Sequence, residues 1–198
     1  MTMSTSLPSV RRGIRIPAMV ALLAVGAIGA AGCGDDPYAV DWTVSPDTVK
    51  LYALSRPQMN LPSGFDFYNR VAVVIEDAAA TGMWDMAVDG RGGAIVLLPP
   101  GALGVSSKAQ VAPLKGRTFD DVTEAPADTA LYTARAAVPV ELGTIYVWRS
   151  RQNYGYYGSS CVYYSKMEPL VIDAAGGTLT FVYDSSPACN NRSLIPPD

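Results

Sequence analysis

The chain has no histidine and only three cysteines in 198 residues, and charged residues are scarce at 17%. Without histidine there can be no Ser-His-Asp or Cys-His nucleophile, no imidazole-bound zinc and no imidazole-bound haem iron. General acid or base work would fall to carboxylates, lysine or tyrosine. No serine and lysine stand at a recognisable spacing, so no catalytic residue is assigned. A phosphate loop is missing too: Gly92-Gly93 lacks a following Lys-Ser/Thr and a helix start, which makes it a hairpin turn. There is no internal repeat and no amphipathic helix longer than two turns. Nor is there a run of about 20 strongly apolar residues, the length a bilayer-spanning helix needs.

The amino-terminal region does carry a signal. Arg11, Arg12 and Arg15 precede an apolar, Ala- and Gly-rich run over 18–31, which closes on small residues before Cys33. A basic segment, an apolar segment and a small-residue cleavage site in that order read as an export signal. Ala30-Ala31-Gly32-Cys33 resembles the lipobox of bacterial lipoproteins, in which cleavage falls before the cysteine and its sulfur takes a diacylglycerol. That resemblance implies lipidation at Cys33, with an ordinary secretory cut or an uncleaved anchor as the alternatives. The expected layout is a signal peptide over 1–32, an acylated cysteine with a short tether over 33–39, and one domain over 40–198. Such a protein belongs in the cell envelope, facing periplasm or cell surface. Gly34 in place of an aspartate favours an outer membrane where the cell has one.

All eighteen acidic residues follow Cys33, whereas three of the fifteen basic ones precede it, leaving twelve basic against eighteen acidic in the mature chain, a balance of −6. An acidic protein has no electrostatic attraction for nucleic acid or anionic lipid. Membrane association would be covalent, each buried methylene of the acyl chains adding about 0.8 kcal/mol. With Cys33 acylated, Cys161 and Cys189 remain, and in an oxidising compartment they are expected to pair. Strands on either side of the turn at 173–177 would bring them opposite each other.

Strands are expected at 40–44, 48–54, 65–67, 70–76, 83–89, 94–98, 138–142, 144–150, 162–172 and 178–183, from alternation, β-branched runs and Gly/Pro punctuation. The run at 70–76 suits a central strand. In 83–89, Trp84, Met86 and Val88 share one face, with Asp85 and Asp89 on the other. Residues 77–82 read as one helical turn or a loop, and 102–130 as the least regular connection. Many short alternating strands predict an all-β, sandwich-like antiparallel domain.

Two stretches invite a metal and are read otherwise. Met83 and Met86 flank Trp84 as strand residues of a core. Asp120, Asp121 and Glu124 lack repeated ligand spacing and read as a solvated loop. No metal site is assigned. The unusual feature of the mature chain is tyrosine: Tyr154, Tyr156, Tyr157, Tyr163 and Tyr164 lie close together among Gly, Ser and Asn, beside Arg149 and Arg151. Tyrosine offers a flat face and a hydroxyl at low entropic cost, the mixture binding loops use. Tyr154, Tyr156, Tyr157, Arg149 and Arg151 are therefore the candidate ligand-binding residues, with Tyr163 and Tyr164 expected as cross-strand pairs.

Phe65-Asp66-Phe67, Trp84-Asp85-Met86-Ala87-Val88, the stretch from Gly143 to Arg149 with Tyr146, and Tyr164-Ser165-Lys166-Met167-Glu168 resemble the ordered landmarks of HmuY-like lipoproteins. The resemblance implies an all-β fold, lipid anchoring and a surface that binds a ligand. Members that capture haem use loop side chains, histidines in the best-known cases. Haem would be a cofactor by that resemblance alone, and with no histidine here none is expected. The leading reading is a lipid-anchored, non-catalytic β-domain that binds a small ligand or an envelope protein through its tyrosine loop. A structural or assembly subunit of an envelope complex, and then a carboxylate-dependent hydrolase, are the alternatives.

Overall fold

The structure, a computed structural model, describes residues 42–58, 60–155 and 158–197. The signal and tether segments with Cys33, and Tyr156 and Tyr157, lie outside the described residues.

The fold is all-β. Sheet A orders β1 (Asp47–Tyr52), β12 (Thr178–Ser185), β11 (Tyr164–Asp173), β8 (Thr144–Arg149) and β6 (Gln110–Lys115). Sheet B orders β3 (Val71–Val73), β2 (Gly64–Asp66), β4 (Met86–Arg91), β5 (Ala94–Leu98) and β7 (Val138–Pro139). Every pairing is antiparallel, and a separate two-stranded ribbon joins β9 (Asn153–Tyr154) to β10 (Ser160–Cys161). The β4–β5 hairpin turns on Gly92 and Gly93 at φ 59° and 80°, the left-handed pair that a tight two-residue hairpin demands.

Alternate residues of both sheets meet between them. Leu51, Phe65, Met86, Val88, Leu97, Val111, Tyr146, Trp148, Met167, Phe181 and Tyr183 form one buried cluster. Its centre is aromatic: Phe65 lies 4.7 Å from Tyr183 and 5.0 Å from Phe67, which stacks on Trp148 at 5.5 Å. Such rings add edge-to-face attraction to their buried area. Tyr146 ties the sheets at their margin, its hydroxyl accepting from Glu141 N at 2.9 Å and donating to Pro139 O at 2.8 Å.

Sheet A is also covered on its outer face. Ile145 and Val147 pack there with Leu114, Phe119, Val122, Ala125, Tyr164 and Leu194, from the 117–125 loop and the carboxy-terminal tail. Lys166 pins this loop: its Nζ donates to Phe119 O at 2.8 Å and Val122 O at 3.0 Å, and lies 4.5 Å from the centre of the Phe119 ring. Tyr164 sits on β11 beside Arg149 of β8, as a cross-strand pair, while Tyr163 stacks instead on Tyr68 at 4.6 Å.

Four expectations are corrected. Of the strand expected at 40–44, the described residues 42–44 form none, and the first strand begins only at Asp47, beyond Pro46, which has no N–H to offer a ladder. The run at 70–76 yields only the three-residue edge strand β3, with Val71 47% exposed. Arg70 is held at φ 58° in the reversal after β2 and residues 75–76 lie in a turn, and β-branching cannot tell an edge from a centre. Trp84 leaves the face of Met86 and Val88 for a separate cluster with Ala87, Val96 and Leu98, and Asp85 is fully buried. The strand begins only at Met86, so a period of two does not extend back through 83–85. Inside the supposedly irregular 102–130 lies β6; it pairs with β8 alone among the strands, and that edge position accommodates Pro113.

Candidate functional site

The tyrosine segment is built as a hairpin on two fixed roots. Its far root is covalent: Cys161 and Cys189 are disulfide-bonded with Cα atoms 5.1 Å apart, as the sequence predicts. Asn190, next to that cystine, donates from its backbone N to Val162 O at 2.9 Å. Its side chain accepts from Val162 N at 3.0 Å and donates to Ser160 O at 2.9 Å. Within the hairpin Gly155 N donates to Ser159 O at 2.7 Å. A Cβ at Gly155 would stand 2.4 Å from Cys161 Sγ, so only glycine fits against the cystine.

The near root is ionic. Arg151 is buried with its guanidinium 2.8 Å from each carboxylate oxygen of Asp66, Nη1 facing Oδ1 and Nη2 donating to Oδ2, and with Nη1 3.5 Å from Asp85. Asp85 accepts from the backbone N of Arg151 at 2.6 Å and of Phe67 at 2.9 Å. Asp66 also accepts from Tyr68 N at 3.0 Å, Asn69 N at 3.1 Å and Asn69 Nδ2 at 2.7 Å. The carbonyl of Arg151 in turn accepts from Ser150 Oγ at 2.7 Å and Asn153 Nδ2 at 3.0 Å, where β9 begins. Two aspartates from sheet B and its approach thus grip the connection that leaves sheet A for the hairpin.

Burial pushes the Asp85 carboxyl up to about 6, with the nearby Asp66 charge adding to the rise, against the lowering pull of the Arg151 N–H and guanidinium and the Phe67 N–H. At Arg151 burial disfavours the cation, but its contacts with Asp66 and the charge of Asp85 outweigh this and raise its pKa. Main-chain donors and one guanidinium occupy both carboxylates, a set of contacts that builds a joint.

Of the candidate ligand residues, Tyr154 is 89% exposed on β9. Arg151 is turned inward into the ionic joint, away from any surface patch with Arg149. Arg149 is half-buried on the outer face of sheet A, in register with Tyr164 and Gln110. Asp66 and Asp85 escaped assignment to the site although both stand in the Phe-Asp-Phe and Trp-Asp-Met motifs. An aspartate enclosed by large apolar residues is the signal that could have found them, since a buried carboxylate requires a partner. In the acidic loop, Asp121 accepts from Thr118 N at 3.2 Å and Glu124 pairs with Arg192 at 2.6 Å. Among the described residues no group of three or more acidic or cysteine side chains gathers around a point that could hold a metal.

No family model matches the chain, and no curated protein matches it.

The raised carboxyl at position 85 sets the sign of a pH effect. The folded state holds this proton more tightly than the unfolded chain, so the Asp85 contribution to stability is complete below about pH 4 and is lost as pH rises through about 6. Urea unfolding of the wild type and Asp85→Asn from pH 4 to 7 is expected to show the wild type losing ground to the variant as pH rises, by up to about 1.4 kcal/mol per pH unit. A stability difference independent of pH, or one with the opposite slope, would contradict this assignment.

Proposed function

We propose that the chain is a lipid-anchored β-domain of the cell envelope that binds a small ligand or a protein partner through the tyrosine hairpin and performs no catalysis. The observation that carries the reading is Tyr154, almost fully exposed on a ribbon fastened by a cystine at one root and by buried ions at the other. A tyrosine held exposed on a fastened support presents a flat face and a hydroxyl at low entropic cost, the combination that binding loops use. Fastening both roots lowers the entropy lost on binding, so the exposed phenol can act on a partner without first being ordered. Tyr156 and Tyr157 follow in the same loop and extend the surface in this reading.

The envelope setting is supported by the signal and lipobox-like residues, by the cystine, and by the HmuY-like motifs, now joined by an all-β fold. Anchoring at Cys33 with a tether of a few residues would keep the hairpin within a few nanometres of the lipid. An assembly role in an envelope complex is the second reading, favoured by the edge strand β3 with its exposed Val71.

Two measurements test the proposal. Mass spectrometry of the native polypeptide is expected to find an amino terminus at Cys33 carrying a diacylglycerol; an unmodified terminus at another residue would remove the anchor. Replacing Tyr154, Tyr156 and Tyr157 together by Ser is expected to abolish capture of whatever co-purifies with the wild type from solubilised membranes, with Tm nearly unchanged. Retained capture, or a large fall in Tm, would contradict a binding role for the hairpin.

A further inference from the structure

Every partly or fully buried arginine among the described residues has a carboxylate at ion-pair distance, with one exception. Arg56 faces Glu76, Arg70 faces Asp184, Arg151 faces Asp66 and Asp85, and Arg192 faces Glu124. Arg149 is half-buried, and its guanidinium makes one long contact, 3.4 Å to Lys108 O. A guanidinium carries five donors, so most of this fork is open.

Its surroundings suit a ligand. Gln110 and Tyr164 flank Arg149 on the neighbouring strands, directly opposite it in register on the outer face of sheet A. Tyr132 donates its hydroxyl to Pro126 O, while Arg192 reaches the preceding carbonyl, Ala125 O, so phenol and second guanidinium dock on successive residues of one strap. The backbone bridge between Val111 and Thr133 fixes that strap along the edge of β6. Burial raises the Tyr132 pKa and Tyr164 adds to the rise, against a lowering pull from Arg192 and Arg149.

We propose that Arg149, Gln110, Tyr164 and Tyr132 form a second binding site, for an acidic saccharide whose carboxylate is taken by the Arg149 fork. The guanidinium matches a carboxylate in a planar, bidentate arrangement. The amide of Gln110 can both donate to and accept from sugar hydroxyls, and the Tyr132 oxygen, having given its proton to Pro126, keeps lone pairs for a hydroxyl. Tyr164, packed against the outer apolar cluster, holds the strand beside Arg149 in register. In a mature chain of net charge −6, the Arg149 guanidinium stands without a carboxylate partner and gives an anion a local place to bind, whereas Arg192 is already paired with Glu124 at 2.6 Å. The site shares no residue with the tyrosines of the hairpin, so either can fail without the other.

The test is titration of the full chain in detergent with glucuronate, followed by NMR shifts or calorimetry, with glucose as the uncharged counterpart. Glucuronate is expected to bind at least tenfold tighter than glucose. Arg149→Gln should weaken it tenfold or more, Tyr132→Phe should weaken it severalfold, and Arg91→Gln on the opposite sheet should change nothing. Circular dichroism and Tm establish that each variant is folded; Arg149 is on the outer face of sheet A and is not among the residues of the core between the sheets. No glucuronate binding, equal binding of glucose, or an Arg149→Gln variant that binds like the wild type would each overturn the proposal.

Discussion

The buried contact between Arg151 and the pair Asp66 and Asp85 is the constraint on which the remaining structure depends. It joins Asp66 of sheet B, and Asp85 just before β4, to the chain that has just left sheet A for the hairpin. Such a contact adds little to net stability, because dehydrating three ionised groups costs nearly as much as their attraction returns. Removing one partner is a different matter: it strands a charge in the interior and costs about 3 to 5 kcal/mol. The triad therefore sets position rather than strength. Strength comes from the aromatic cluster around Phe65, Phe67, Trp148 and Tyr183, which loses little if a strand shifts by a fraction of an ångström, whereas a forked guanidinium between two carboxylates tolerates almost no shift.

The same division of labour recurs on the other face. A small apolar cluster covers the outside of sheet A, and Lys166 fixes its register by donating to two loop carbonyls. Burial lowers the Lys166 pKa, against the pull of Asp120 and Asp184, yet two carbonyls and an aromatic face still receive the ammonium. One strand pair thus carries both layers: Trp148 and Met167 point into the sandwich, while Val147 and Lys166 point into the outer cover. With both faces of sheet A covered, the hairpin, the strand edges and the polar row through Arg149 are among the surfaces left for partners.

Much of this was legible from residue order. Alternation located β4, β5, β8, β11 and β12, Gly92-Gly93 marked its hairpin, and the two cysteines declared their bond. The errors share a cause. Asp85 looked outward because alternation was extended past the start of a strand, and the 70–76 run looked central because β-branched residues suit any pleated surface. Strand β6 was hidden by Pro113, which is tolerable only because that strand lies at an edge, a fact of topology. Arg151 looked like a binding residue because a guanidinium beside tyrosines resembles one; its true partners lie 66 and 85 residues away in sequence, and no local pattern can state such a distance.

That the ionic joint holds the tyrosine hairpin in place is the claim on which this account rests most heavily. Native-state hydrogen exchange on Arg151→Lys tests it directly, because lysine keeps the charge and loses the fork. The amides at positions 151, 67 and 155 are expected to exchange at least tenfold faster than in the wild type, while those of Phe181 and Tyr183 in β12 keep their protection. Unchanged exchange at 155, or an equal acceleration at every site, would show that the hairpin takes its position from something other than this joint.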